Sequence, residues 1–568
     1  MKSWSNTGCR RASRRGLLAA AVAAGLVAAV ASLPALRNEL VWDDTALVLR
    51  SRTRPLATFG QSFWQGAAEV LDGDPYYRPL VNFSLGLERA VAGGSAWHFH
   101  LVNVLLHGVV VGLFAWLVGV MAGSVPAGGI AGLLFGLHPL LADSVAYVSG
   151  RTDILAGLGL LVACLGVVWW RRRPCWQAVV VVLAGFAVAV FSKESGLLFL
   201  GPGVAGLLVQ SRQGGGLRSD RLAAVGLVLV AAGYLTARQA VLGSLVGISP
   251  AGTAGEVVGL ALNEFGRGLV RFTIPFGQPL FEWRGAVSGR LDAYALAALG
   301  YLLLPILLTR LRQRGLLLVA WAWGLLFLLP FAALSQFGPT GRLLYLPGMG
   351  LVVMVAVVGL QVAGHSRIRQ RLAAAAGIGL AAAFVPFLVA RTAAWRNETG
   401  LFRRMTQQAP TYARGHYNLG TALLAAADPA GAAEAFSRAL VLDSGLVQAC
   451  LNLGALRQQQ GELAEAAALY RRAVKSRPDY APTRVNLGIV LHKTGDRQGA
   501  VAELRRGLEL DPRSVGAAFN LAWLFHLYGE PDSARKYAVI ALQMAPDDSR
   551  VRGLVERLGT GQHPPDSR

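Results

Sequence analysis

The chain has 568 residues, of which 54% are hydrophobic and 15% charged. That length exceeds what one compact core sustains, so at least two domains are expected. A charged share this far below the roughly one quarter of soluble domains excludes an ordinary soluble protein. The net charge of +22 does not make it a nucleic-acid binder, because the arginines gather between apolar runs: Arg171–Arg173, Arg212/Arg218/Arg221, Arg310/Arg312/Arg314 and Arg367/Arg369/Arg371. That is the pattern of cytoplasmic loops in a membrane protein.

Taken in chain order, apolar runs predict helical spans at 16–36, 101–122, 126–142, 153–170, 175–192, 195–210, 222–242, 291–311, 315–336, 342–364 and 371–391. Each approaches the length that crosses about 30 Å of hydrocarbon. Lys2, Arg10, Arg11, Arg14 and Arg15 hold the N-terminus in the cytoplasm. Counting from there puts all four arginine clusters on that side. The odd number of spans puts residues 392–568 outside, so the expected location is the inner membrane with the C-terminal part periplasmic. Residues 1–36 also fit a secretory signal, with "SRRGLL" in the manner of twin-arginine export. Stretches 37–100 and 243–290 are expected as exterior loops. Cys9, Cys164, Cys175 and Cys450 show no metal or disulfide spacing.

Beyond a linker helix at 392–410, the character changes. Asn418-Leu419-Gly420, Asn452-Leu453-Gly454, Asn486-Leu487-Gly488 and Asn520-Leu521-Ala522 recur every 34 residues, as do Ala432, Ala466, Ala500 and Ala534, and Pro478, Pro512 and Pro546. Small residues at fixed positions let paired helices approach, and proline ends the second. The pattern resembles the tetratricopeptide repeat: four repeats over 411–546 forming an α-solenoid. Residues 547–568 form a C-terminal tail, ending in "GTGQHPPDSR", which reads as disordered. The fold class is therefore all-α, a polytopic membrane domain (1–391) followed by a solenoid.

Polar residues at the exterior ends of the spans carry the candidate chemistry. Asp43 and Asp44 sit where the first span leaves the bilayer, a costly place for carboxylates without a function. Arg78 lies between aromatics and a proline. His100, Asn103 and His107 share one helix face. That face is read as looking into a cavity in preference to a metal site, with interhelical hydrogen bonds as the plainer alternative. His138, Asp143, Arg151 and Asp153 crowd one exterior turn, Lys193 and Glu194 a second, Arg342 and Tyr345 a third. Asn418, Asn452, Asn486 and Asn520 form a ladder that can bind an extended chain through its backbone, or bond the neighbouring repeat.

"VWDD", "YYRPL", "FHLVNVLLH", "LHPLLADSVAYVSGRTDIL", "SKES", "GRLLYLP" and "LFRRMTQQAPTYARGHYNLG" follow one another in this order. In them the chain resembles the transmembrane and tetratricopeptide-repeat O-mannosyltransferases, including bacterial relatives. The resemblance implies a GT-C glycosyltransferase fold and transfer of mannose from a polyprenyl-phosphate carrier to Ser/Thr hydroxyls on the exterior face. It implies no metal and no other cofactor. Asp43 and Asp44 match the acidic pair, one being the base. Arg78 matches the arginine of the RPL motif and Arg342 that before LYLP, either of which would hold the carrier phosphate. Asp143 stands where the family usually has Glu, which puts its role in question. The expected partners are membrane lipid, the polyprenyl-phosphate donor and a protein acceptor on the repeats, with no nucleic acid. Two readings remain open beside this one: a cell-envelope glycan or lipid as acceptor, and a non-enzymatic membrane-anchored scaffold.

Overall fold

The computed structural model describes residues 13–50, 77–208, 217–242, 254–283, 291–332, 341–364 and 366–560. Arg212, the part of the stretch 37–100 between 51 and 76, the ends of 243–290 and residues 561–568 lie outside them. The chain divides into two compact units, Met1–Arg404 and Met405–Arg568.

The first unit contains α1 (Arg14–Ser32), α2 (Asp43–Arg50), α3 (Pro79–Ala92), α4 (Ala96–Ala122), α5 (Val125–Gly136), α6 (Ala142–Ala146), α7 (Arg151–Arg172), α8 (Trp176–Ser192), α9 (Leu200–Leu208), α10 (Leu217–Leu242), α11 (Ala254–Thr273), α12 (Ala293–Leu308), α13 (Arg314–Ala332), α14 (Tyr345–Val362) and α15 (Arg367–Ala393). Within the described residues, each predicted span falls on helical segments. Among the described residues six stretches are long and apolar enough to cross a membrane: Arg14–Arg37, Ala96–Ala122, Val148–Arg172, Asp220–Leu242, Arg342–Val362 and Arg367–Ala393. A seventh, Val125–Gly136 with Pro139–Ala146, is bent by 55° at its break. Trp176–Ser192, Glu194–Leu208, Ala293–Leu308 and Arg314–Leu328 are apolar but shorter; at 1.5 Å per residue they fall short of the full hydrocarbon width. The expected exterior loops are not featureless: α2 and α3 lie in the first, α11 in the second.

Small residues set the spacing of the helices. A Cβ on Gly25 of α1 would lie 2.5 Å from the Gly108 carbonyl of α4, and one on Gly185 of α8 would lie 2.5 Å from the Ala163 nitrogen of α7. In lipid, where apolar burial gives helices little reason to associate, such close backbone packing supplies the attraction. Leu222 and Leu229 on α10, Leu296 and Leu303 on α12 and Leu372 on α15 are exposed, as lipid-facing side chains are.

Helix α16 (Glu398–Gln408) falls within the predicted linker. The second unit then pairs α17 (Ala413–Ala425) with α18 (Pro429–Leu442), α19 (Val447–Gln459) with α20 (Leu463–Ser476), α21 (Ala481–Lys493) with α22 (Arg497–Leu510), and α23 (Val515–Leu527) with α24 (Pro531–Met544). Ala432, Ala466, Ala500 and Ala534 are all fully buried. A Cβ on Gly420, Gly454 or Gly488 would press on Phe436, Tyr470 or Leu504, at 2.6, 2.6 and 2.7 Å. The fourth repeat reverses the sizes: Ala522 takes the glycine position and packs in one cluster with Ala538 and Leu554. The turns within the repeats place Gly461, Gly495 and Gly529 at φ of 83°, 87° and 75°, and Ala427 takes the equivalent place at 58°.

The tail begins with a helix, while nearly all of "GTGQHPPDSR" lies outside the described residues. That helix is α25 (Ser549–Thr560), with Val551 and Leu554 buried against α23 and α24. A solenoid leaves its last apolar face open unless a further helix covers it.

Candidate functional site

Trp42 adopts φ of 56°, a left-handed conformation costly for a bulky residue. It is held there from several sides. Its N–H donates to Glu398 Oε1 at 2.9 Å, and its ring lies 5.9 Å from that of Phe281 and 5.8 Å from that of Phe402. The chain then turns directly into α2, which opens with Asp43 and Asp44.

The two carboxylates have different surroundings. Asp44 is fully buried. It accepts from the Val148 N–H at 3.0 Å and from both the N–H and the hydroxyl of Ser149 at 2.7 Å. Burial pushes its carboxyl up to about 7, against the pull of those donors. Asp43 is half-buried and its Oδ2 accepts from the Tyr147 hydroxyl at 2.9 Å. Burial raises its carboxyl too, opposed by that hydrogen bond and by the charge of Arg342.

Arg342 lies with its guanidinium carbon 4.8 Å from the centre of the Tyr147 ring. It is 3.6 Å from Asp153 Oδ2, and its Nη2 donates to the Ser149 carbonyl at 3.5 Å. Asp153 is also paired with Lys193. Glu194, next in the chain, accepts two hydrogen bonds from Arg78, at 2.8 and 3.2 Å. A contiguous polar strip thus runs from Asp43 through Tyr147, Arg342 and Asp153 to Lys193, with the Glu194–Arg78 pair beside it. Connections far apart in sequence meet in it.

Other candidates lie in separate buried hydrogen-bond networks. Arg151, fully buried, donates to Asn103 Oδ1 at 2.8 Å and to the Phe99 carbonyl at 3.0 Å, and pairs with Glu88 at 2.7 Å. His100, Asn103 and His107 make the hydrogen bonds of the plainer alternative. Asn103 donates to the Tyr147 and Val148 carbonyls at 3.2 and 3.3 Å. His107 bonds the Tyr345 hydroxyl at 2.9 Å and the Gly136 carbonyl at 3.2 Å, and His100 reaches the Glu39 carbonyl at 3.3 Å. Buried polar groups in a span find partners on neighbouring backbone.

His138 and Asp143 belong to a second cluster. His138 stacks on Phe272 at 4.0 Å and bonds its carbonyl at 2.9 Å. Asp143 accepts from Arg391 at 2.8 and 2.7 Å and from the Trp395 indole at 3.1 Å. Trp395 in turn stacks on Tyr147 at 4.9 Å. Asp143 therefore buttresses the strip from behind.

Sequence reasoning missed Tyr147, Ser149, Arg391 and Trp395. Two of them were in plain view inside "LADSVAYVSGRTDIL". Arg391 had a signal as well: a charge at the end of an apolar span needs a partner, and Asp143 was an acid without one.

In the repeats, Asn418, Asn452, Asn486 and Asn520 are all half-buried at one register of the first helices. Asn520 donates to the Gly516 carbonyl of its own helix at 2.7 Å. Among the described residues the other three make no hydrogen bond.

Tetratricopeptide-repeat family models match residues 417–481, 457–514 and 491–558. Protein O-mannosyl-transferase TMTC4 of Homo sapiens is 26% identical over 484 residues, covering 70% of this chain and 62% of that protein. Protein O-mannosyl-transferase tmtc2 of Xenopus laevis is 34% identical over 151 residues, 25% of this chain and 18% of its own. The chain thus spans less than two thirds of the length of these relatives. Among solved structures, the tetratricopeptide protein YrrB is 19% identical over 28% of this chain and 83% of its own, with a TM-score of 0.26. The chain is thus similar over about 70% of its length to a protein O-mannosyl-transferase and carries tetratricopeptide repeats at its C-terminal end.

Proposed function

We propose that the chain is an integral-membrane glycosyltransferase of the GT-C kind. It transfers mannose from a polyprenyl-phosphate carrier to Ser/Thr hydroxyls of exported proteins, at the exterior face of the inner membrane. The observation that supports this is the meeting of Asp43 and Arg342 on one tyrosine.

Asp43, the more open carboxylate, takes the proton of the acceptor hydroxyl. The acceptor oxygen bonds to the anomeric carbon while the bond from that carbon to the phosphate oxygen breaks. The phosphate leaves with the electron pair, and Arg342 meets its charge with forked donors. Asp44, spent on three hydrogen bonds, fixes the turn at Val148–Ser149 under the site. Arg78, already held by Glu194, orients that flank and reaches phosphate only by sharing. The free amides of Asn418, Asn452 and Asn486 hold an extended acceptor by its backbone. No step calls on a metal. The N-terminus stays cytoplasmic and the repeats face the periplasm.

The test uses the full-length protein in lipid nanodiscs with polyprenyl-phosphate mannose and a threonine-containing peptide, transfer being read by mass spectrometry. Asp43→Asn is expected to lower the rate by a factor on the order of 10² to 10⁴. Transfer at the original rate by an Asp43→Asn/Asp44→Asn double variant would remove the proposed base. Mannose found on lipid and never on peptide would replace the acceptor class.

A further inference from the structure

Tyr147 is almost fully buried and each of its parts is engaged. Its hydroxyl donates to Asp43 at 2.9 Å. One region of its ring carries the Arg342 guanidinium, 4.8 Å from the centroid. The indole of Trp395 stacks on it at 4.9 Å with 26° between the planes, and that indole is tied to Asp143, which Arg391 clamps. Its carbonyl accepts from Asn103 at 3.2 Å, and the next two N–H groups donate to Asp44. A ring held this way has no other rotamer to visit.

We propose that Tyr147 is a positioning residue that sets Asp43 and Arg342 at their working separation, its hydroxyl acting on the proton acceptor and its ring face on the guanidinium that meets the phosphate. The proposal rests on the glycosyl-transfer reading above. Burial and the neighbouring carboxylates hold the phenol well above its ordinary range, so it stays protonated and remains a donor. That donor favours the ionised form of Asp43. The two effects are separable by substitution: phenylalanine deletes the hydroxyl and keeps the face, leucine deletes both.

The experiment measures kcat/KM against pH, and KM for polyprenyl-phosphate mannose, with full-length protein in nanodiscs. In Tyr147→Phe the acidic limb is expected to move up by about one pH unit, the size of one hydrogen bond to a charged group, while donor KM stays within about two-fold. In Tyr147→Leu donor KM also rises about ten-fold as the cation–π contact is lost. Where the Phe variant does not accumulate, 3-fluorotyrosine at position 147 serves. It keeps the hydroxyl as a stronger donor and moves the limb down instead. A limb that stays in place in an active enzyme, or a loss uniform across pH, overturns the proposal. A wild-type chain that transfers no mannose at any pH overturns the functional reading on which it rests.

Discussion

Ser149 donates to Asp44 Oδ1 twice, through its N–H and its hydroxyl, at 2.7 Å each. This contact separates the roles of two adjacent carboxylates. Asp44 is part of the architecture, whereas Asp43 is only half-buried and has one side-chain hydrogen-bond partner among the described residues, Tyr147. Asp44→Asn turns an amide NH2 toward donors and leaves buried groups unpaired, so it is expected to destabilise the first unit by about 1–3 kcal/mol. Asp43→Asn should leave the melting temperature nearly unchanged while removing activity. Differential scanning fluorimetry beside the transfer assay checks both.

Stability and activity should respond to pH in opposite senses. The Asp44 carboxyl is raised from 3.8 to about 7 in the folded chain, so the folded state holds its proton more tightly than the unfolded one. Its contribution to stability is complete below about pH 4 and is lost as pH rises through about 7. Burial raises Asp43 as well, and as a base it works only once ionised, so transfer should increase as pH rises through its raised value. Melting curves between pH 4 and 8 should show the fall, and Asp44→Asn should flatten it.

Arg391 and Asp143 form a buried pair with two hydrogen bonds, at 2.8 and 2.7 Å. Arg391→Met leaves a buried carboxylate uncompensated and should cost about 3–5 kcal/mol. Adding Asp143→Leu should recover most of that loss, since an apolar pair of similar volume replaces a buried ion pair at little cost. Recovery of stability without recovery of transfer is the expected pattern, because Trp395 then loses the acceptor that orients it under Tyr147. Melting temperatures of the single and double variants decide it.

Ala427 occupies a left-handed position where three sister repeats carry glycine. Relief of that strain, about 1–2 kcal/mol, is only partly offset by the greater freedom of glycine in the unfolded chain. Ala427→Gly is therefore expected to stabilise the first repeat by about 0.5–1 kcal/mol, read as slower hydrogen exchange across α17 and α18 in the full-length protein. Exchange that becomes faster would mean that the turn carries no strain.

Much of the architecture was legible because its causes are local. A run of apolar residues predicts a helix wherever it sits, and the 34-residue recurrence of Asn, Gly and Ala predicts paired helices without knowledge of the rest of the chain. The expectation that Asp43, Asp44, Arg78 and Arg342 lie on one side came from a count of the apolar runs. Helix α25 escaped notice because Val551, Leu554 and Leu558 make an apolar stripe inside a polar, arginine-rich segment. The bend between α5 and α6 escaped because Pro139 interrupts a run that composition reads as continuous.

From its sequence alone this protein was committed to a helical membrane half, a four-repeat solenoid and a set of charges at the ends of spans. Tertiary structure alone decided which charge meets which. Asp143 finds Arg391 across 248 residues, Tyr147 finds Asp43 across 104, and Arg78 is taken by Glu194 across 116. Hydrophobic length and repeat period are properties of neighbouring residues. The choice of partner for a buried charge depends on which helix ends packing brings within about 3 Å, and no stretch of chain carries that information by itself.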